Sequence, residues 1–379
     1  MEKQPVGTEL AVTKKLYGLD LLRALAITLV FLAHYGGQFS HPEWAEPLKE
    51  FGWTGVDLFF VLSGFLIASP LFGQIAAHKK ISLREFFLKR FFRIIPAYLF
   101  VVCIYFLFAA AREREGLAPL WKYLTFTQNL GLDLRYHGTF SHAWSLCIEE
   151  QFYLCFPLIL TALVYFKLIR KGYILLLLLF LAGFAARSYA WHDLVVPHIE
   201  DNDFGILWYK WLYYPTYARL DGLLIGIGIA ALFCFRPRLK ERIQRYGNLL
   251  IFLSLLVFTA TYFLCSDERS AFASIAGFPR VDIGFGLLVA GAVSPSGFLY
   301  RFNSKAISTI ATLSYAFYLT HKIAIHITQE QVSKFNIEED STLMFFICII
   351  TSLATAFLIN KIVERPFLKL RNRIIGART

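Results

Sequence analysis

Ten stretches of this chain are long and apolar enough to cross a bilayer: 19–38, 52–73, 87–110, 142–166, 173–191, 212–235, 248–265, 281–299, 307–328 and 342–363. In hydrocarbon every backbone N–H and C=O must find its partner within the protein, and segments of this length do so as α-helices. The expected fold class is all-α, a polytopic integral membrane bundle of about ten transmembrane helices. The load agrees: 57% hydrophobic residues and a mean hydropathy of +0.53 over 379 residues exceed what a soluble domain carries. The eighth stretch is the weakest, crowded by Gly284, Gly286, Gly291 and Pro295, and its start could lie near Phe272.

Charge orients the bundle. With the N-terminus in the cytoplasm and strict alternation, segments placed inside carry 24 Lys and Arg, against 9 outside. The contrast is plain between Arg236-Pro-Arg-Leu-Lys-Glu-Arg, inside, and His198-Ile-Glu-Asp-Asn-Asp, outside. A missed span would invert every later loop, so ten spans with both termini cytoplasmic is the expected topology. The expected divisions are a cytoplasmic tail (1–18), a transmembrane domain (19–365) and a basic cytoplasmic tail (366–379). The net charge of +11 then reflects positive inner loops, and no nucleic-acid partner is expected. No cleavable signal peptide follows Lys14 and Lys15, because no small-residue cleavage site precedes the loop at 41–50. The six cysteines fall mostly within apolar spans without metal-ligand spacing and read as buried small hydrophobes, so no metal is expected. Walker and dinucleotide fingerprints are absent from the sequence.

The informative residues are the charges inside the spans. Each costs at least ~2.5–3.5 kcal/mol at bilayer depth, so many in one chain argue for a buried reaction centre or ion path. Arg23 and His34 are eleven residues apart, three turns plus about 20°, which puts them on one face roughly 16 Å apart in depth. His142, Ser145, Glu149 and Tyr153 form one stripe of the fourth span, with Glu150 turned about 100° from Glu149. Ser314, Tyr318 and His321 share a stripe of the ninth. Asp57 enters the second span at a depth compatible with His34. Arg23, Arg90, Arg93 and Glu364 gather at the cytoplasmic side, where paired guanidinium forks suit phosphate recognition. Arg219 and Asp221 point to nearly opposite sides of the sixth helix and need partners elsewhere.

These residues sit in blocks that resemble the acyltransferase 3 family. The blocks are Leu19-Asp-Leu-Leu-Arg-Ala-Leu-Ala followed by His34; Gly55-Val-Asp-Leu-Phe-Phe-Val-Leu-Ser-Gly-Phe-Leu-Ile; Arg90-Phe-Phe-Arg-Ile-Ile-Pro-Ala-Tyr; His142-Ala-Trp-Ser-Leu-Cys-Ile-Glu-Glu-Gln-Phe-Tyr; Arg219-Leu-Asp-Gly; Leu313-Ser-Tyr-Ala-Phe-Tyr-Leu-Thr-His; and Glu364-Arg-Pro. Seven in order cover about residues 16–368. One departure is Leu21, where the family usually has Gly after the first-helix Asp. The resemblance implies a multipass enzyme of the cell inner (cytoplasmic) membrane. Such an enzyme moves an acyl group, often acetyl, from cytoplasmic acyl-CoA to a hydroxyl of a carbohydrate or glycolipid acceptor, with no permanently bound cofactor. Some relatives append an extracytoplasmic esterase-like domain; this chain stops soon after Glu364, so such a step is expected from another protein.

The resemblance implies that His34 is catalytic, either as a base near pH 7 or as the acyl carrier. Glu149 and Glu150 are candidates to orient it or to pair with an intramembrane arginine such as Arg219. Arg23, Arg90, Arg93 and Glu364 are implied to serve donor binding or helix architecture. His142 and Trp144, with Asp57, Arg219, Asp221, Tyr318 and His321, are candidates for acceptor binding. A Ser63 or Ser145 nucleophile lacks a Gly-x-Ser-x-Gly elbow. The competing class is a proton-coupled transporter, which also places His, Glu and Arg in the membrane but is expected to show paired broken helices; a non-catalytic scaffold would leave His34 dispensable.

Overall fold

The computed structural model describes residues 16–265, 267 and 269–376; Lys14 and Lys15 of the N-terminal tail and the last three residues of the C-terminal tail lie outside the described residues. The fold is all-helical, with no strand among the described residues. The principal helices are α1 (Tyr17–Gln38), α2 (Thr54–Ala76), α3 (Leu83–Leu107), α4 (Trp144–Tyr165), α5 (Gly172–Tyr189), α6 (Asp221–Phe235), α7 (Gly247–Leu264), α8 (Phe278–Ala292), α9 (Lys305–Val332), α10 (Thr342–Ile359) and α11 (Arg365–Gly376). Eight helical segments among the described residues are long and apolar enough to span a membrane. Leucines of α5 and α7 such as Leu178 and Leu255 face outward, as on a lipid-facing surface. The chain is a multipass membrane helix bundle.

Helices occupy all ten expected stretches, but two are too short or too polar to count among the eight, for physical reasons. In the sixth stretch Pro215 interrupts the chain, so residues 209–213 wind as a π-helix and the α-helix begins only at Asp221. This 15-residue helix then bends by 111° into the short basic helix Pro237–Gln244. The ninth, α9, is 28 residues long, but its interior carries His321, Lys322 and Gln329, which dilute its apolar character because they face the core. The eighth begins at Ala273 as a π-helix and ends at Ala292, ahead of Ser294-Pro-Ser-Gly, so it is shifted toward the earlier start near Phe272.

Small residues set the tightest crossing. α2 packs along α6, and a Cβ on Gly64 would sit 2.2 Å from the Leu223 carbonyl oxygen, one on Gly226 2.2 Å from that of Val61. Backbones approach this closely only where side chains are absent, the way membrane helices gain packing without a hydrophobic drive. α1 lies against α2 and α9, with Gly55 meeting the carbonyl of Ala26. α3 starts at a serine N-cap: Ser82 Oγ accepts from the Glu85 N–H at 3.3 Å.

Candidate active site

Three histidines from three helices meet in the interior. α1 supplies His34, α9 supplies His321, and the turn Ser141–Ala143 that opens α4 supplies His142. His34 Nδ1 lies 2.8 Å from His321 Nε2, and His321 Nδ1 lies 3.0 and 2.9 Å from the carbonyl oxygens of Phe317 and Tyr318. The His142 ring centroid is 5.6 Å from that of His34 and 5.2 Å from that of His321. His142 is only 2% exposed, and neither of its ring nitrogens has a hydrogen-bonding partner.

The approach to α4 places His142. Phe140 adopts a left-handed backbone (φ 54°), and its buried ring stacks on Tyr105 at 4.6 Å. The Phe140 N–H donates to Glu113 Oε1 at 3.2 Å, and Glu113 in turn pairs with the fully buried Lys322 at 2.9 Å. A carboxylate from the loop between α3 and α4 is thereby clamped to the residue after His321. Burial opposes ionisation of Glu113, but the Lys322 ammonium and the backbone N–H donors together outweigh it and hold the carboxyl below the ordinary glutamate value. From the other side, Tyr318 O–H donates to the His142 carbonyl at 2.6 Å and accepts from the Ser145 hydroxyl at 2.6 Å.

Ser145 and Tyr318 are also the inner end of a cleft, about 680 Å³ including its mouth, that runs between α2, α3, α4 and α9. Arg90 and Arg93 line it, with Glu149, Glu150, Ser63 and Tyr153. Glu149 accepts from Ser63 at 2.6 Å, Tyr153 donates to Ser63 at 3.0 Å, and the Arg90 guanidinium lies 5.1 Å from the Tyr153 ring centre. Glu364 accepts from Arg93 at 3.5 Å and from the Asn360 amide at 2.7 Å; Asn360 and Glu364 both lie on the π-helical turn Asn360–Glu364. Arg23 and, from α11, Arg371 are within electrostatic reach of Arg90 and Arg93. The cleft therefore has a cationic end, two carboxylates on its wall, and hydroxyls backed by the histidines.

The structure gathers another group of the sequence candidates elsewhere. Asp57 pairs with Arg219 at 2.5 Å, and Asp221 with Arg187 at 2.5 Å. Arg187 also donates to the carbonyls of Ala218 (2.8 Å) and Ile275 (2.9 Å). The Arg219 guanidinium lies over Phe278 (3.8 Å), Tyr213 (4.7 Å) and Trp144 (5.5 Å). Trp144 is 3% exposed, its ring enclosed by Phe60, Tyr213 and Tyr214. Arg219 and Asp221 thus each find a partner on another helix, and Arg219 meets Asp57 rather than Glu149 or Glu150.

Sequence reasoning passed over four contributors: Glu113, Lys322, Arg187 and Arg371. Lys322 and Arg187 were visible as charges in or beside spans; their partners were not, because the pairing is set by tertiary placement. Among the described residues no group of three or more His, Cys, Asp or Glu is placed to hold a metal ion.

With this geometry in view, comparison with known proteins is decisive for the family. The family model described as an acyltransferase domain matches residues 16–361. O-acetyltransferase OatA of Staphylococcus aureus (strain NCTC 8325 / PS 47) is 29% identical over 321 residues, 80% of this chain and 49% of that protein. Peptidoglycan O-acetyltransferase OatA of Listeria monocytogenes is 29% identical over 331 residues, 82% of this chain and 49% of that protein. A putative O-acetyltransferase of S. aureus (strain COL) is 28% identical over 373 residues, 93% of this chain and 57% of that protein. The chain thus spans about half the length of the curated relatives it matches, and no solved structure matches it. The chain belongs to the acyltransferase 3 family.

Proposed function

We propose that this protein is a membrane O-acetyltransferase that takes acetyl from cytoplasmic acetyl-CoA and delivers it to a hydroxyl of a cell-envelope glycan at the outer side of the cytoplasmic membrane. The observation that carries the reading is the cleft, with Arg90 and Arg93 at one end and Ser145 and Tyr318, the supports of His142, at the other. Paired guanidinium groups suit the donor's diphosphate. The excess of Lys and Arg on alternate loops supports placing that end in the cytoplasm. The names of the relatives favour a glycan acceptor, with peptidoglycan as the first to test.

In this reading the thioester lies along the cleft and its carbonyl carbon reaches the histidine cluster. His34 takes the proton of the acceptor hydroxyl, the oxygen bonds to the carbonyl carbon, the C–S bond breaks, and the proton passes to the departing sulfur. Only the acyl group changes sides. The test is transfer of radiolabelled acetyl from acetyl-CoA to peptidoglycan in membrane vesicles of defined orientation. Transfer is expected when acetyl-CoA reaches the cytoplasmic face; transfer only when it is supplied to the outer face would refute the sidedness.

A further inference from the structure

The contacts around His321 determine where its proton sits, and through that where the proton of His34 sits. His321 Nδ1 faces two backbone carbonyls, Phe317 at 3.0 Å and Tyr318 at 2.9 Å. A carbonyl oxygen only accepts, so Nδ1 carries the hydrogen. In neutral imidazole the other nitrogen is then a bare acceptor. That nitrogen, Nε2, lies 2.8 Å from His34 Nδ1. Two lone pairs cannot face each other at this distance, so His34 Nδ1 is the donor. The His34 Nε2 lone pair is left over, on a residue that keeps partial exposure.

The ring of His321 cannot easily turn to undo this arrangement. It stacks on the Phe317 ring, with centroids 5.8 Å apart and planes 8° from parallel, and meets the His34 ring edge to edge, with centroids 5.0 Å apart and planes 28° from parallel. The neighbouring Lys322 is held by Glu113, and Tyr318 by His142 and Ser145. The helix turn that carries His321 is therefore fixed at three positions, 318, 321 and 322.

We propose that His321 is a positioning residue: it holds His34 in the Nδ1–H tautomer and so presents His34 Nε2 to the acceptor hydroxyl. It occupies the place a carboxylate takes behind other catalytic histidines, but as a neutral acceptor. The assignment rests on His34 acting as the base in acyl transfer. Nε2 takes the hydroxyl proton as the ester C–O bond forms and the thioester C–S bond breaks. The imidazolium keeps its Nδ1–H bond to His321, and the proton on Nε2 then leaves with the CoA sulfur.

Two measurements test this. In the first, the full-length protein is assayed in detergent with acetyl-CoA and a soluble peptidoglycan fragment, alongside binding of CoA alone. His321→Ala is expected to lower kcat by between about 10²- and 10⁴-fold, with CoA binding unchanged because the arginine end of the cleft is untouched. His321→Gln, whose amide oxygen can accept from His34 Nδ1–H, is expected to stay within about 10-fold of wild type. Equal losses in folded Ala and Gln variants would make the role one of packing and overturn the proposal. Full activity in His321→Ala with His34→Ala dead would overturn it while sparing the reading of His34; full activity in His34→Ala would remove both. The second measurement needs no folded variant at position 321. Solid-state nuclear magnetic resonance of ¹⁵N-histidine-labelled protein in bilayers, with His34 assigned by its loss in His34→Gln, reads the tautomer directly. A protonated Nδ1 and bare Nε2 are expected at His34; the reverse overturns the proposal.

Discussion

Two buried polar clusters in this bundle differ in the kind of group they hold and in what lies beside them. At Asp57, Arg219, Asp221 and Arg187, each charge faces an opposite charge at 2.5 Å and the arginines are further bound by carbonyls or aromatic faces, while Asp57 Oδ2, Arg219 Nη1 and Oδ1 of the neighbouring Asp282 keep no hydrogen-bonding partner. At His34, His142 and His321, the groups are neutral-capable rings, two nitrogens of His142 lack partners, and hydroxyls on the cluster's flank open onto a cleft. Paired charges away from the cleft fix helices; proton acceptors beside a cavity can act on a ligand. α5 makes the first case sharply: apart from Gly183, its only buried residue is Arg187, so that arginine is what ties an otherwise outward-facing apolar helix to the bundle.

The largest effect separating the clusters is catalytic. His34→Ala is expected to reduce acetyl transfer by about 10²–10⁴-fold or more while thermal unfolding in detergent stays near wild type, because His34 is partly exposed and removes no charge pair. Near wild-type transfer by this variant would end its assignment. Arg219→Ala should reverse the pattern. It leaves Asp57 buried without its partner, a loss of about 3–5 kcal/mol for a broken buried pair, so low yield and a lowered unfolding temperature are expected. An Arg219→Ala protein with normal stability and selectively lost acceptor use would instead move this cluster into the active site.

How much of this was legible in the sequence follows the same divide. Helical spacing put Arg23 with His34 and His142 with Ser145 and Glu149 on common faces, and the motif order gave the family. The ten apolar stretches all proved helical. Partners across helices were not legible, because they depend on rotation and tilt set by packing at glycines such as Gly64 and Gly226. Glu113 shows the limit most clearly: nothing in a loop sequence containing Arg112, Glu113, Arg114 and Glu115 marks one carboxylate for a buried lysine more than two hundred residues later.

The donor end of the cleft gives an effect of intermediate size. Arg93→Gln removes a charged donor that also holds Glu364. A loss of about 1.5–3 kcal/mol in CoA binding is expected, read as a raised KM for acetyl-CoA with a smaller change in kcat. An unchanged KM with lowered stability would place Arg93 with the architectural charges, alongside Arg187.

The smallest expected effect lies outside the membrane and tests whether burial, rather than ion pairing itself, separates the clusters. In the loop between α3 and α4, Asp133 accepts from Arg135 at 2.7 and 3.0 Å and from Lys210 at 3.2 Å, and Arg135 reaches Asp203 at 2.6 Å. The Arg135 guanidinium, against a smaller opposing effect of burial and with help from Lys210, holds the Asp133 carboxyl well below the usual carboxylate range. A carboxyl whose folded pKa is depressed adds stability above its unfolded value, about 3.9, and loses it as pH falls through the folded one. Nothing is therefore lost between pH 7 and about 5, and the contribution fades only in stronger acid. Because Arg135 and Asp203 are open to water, the pair is screened, and Asp133→Asn should cost no more than about 1 kcal/mol at neutral pH. Unfolding temperatures of wild type and Asp133→Asn should differ slightly at pH 7 and converge in acid. A difference as large as that of Arg219→Ala would mean that pairing at the loop surface matters as much as pairing in the bundle, and the contrast between the charge-paired and histidine clusters would no longer rest on burial.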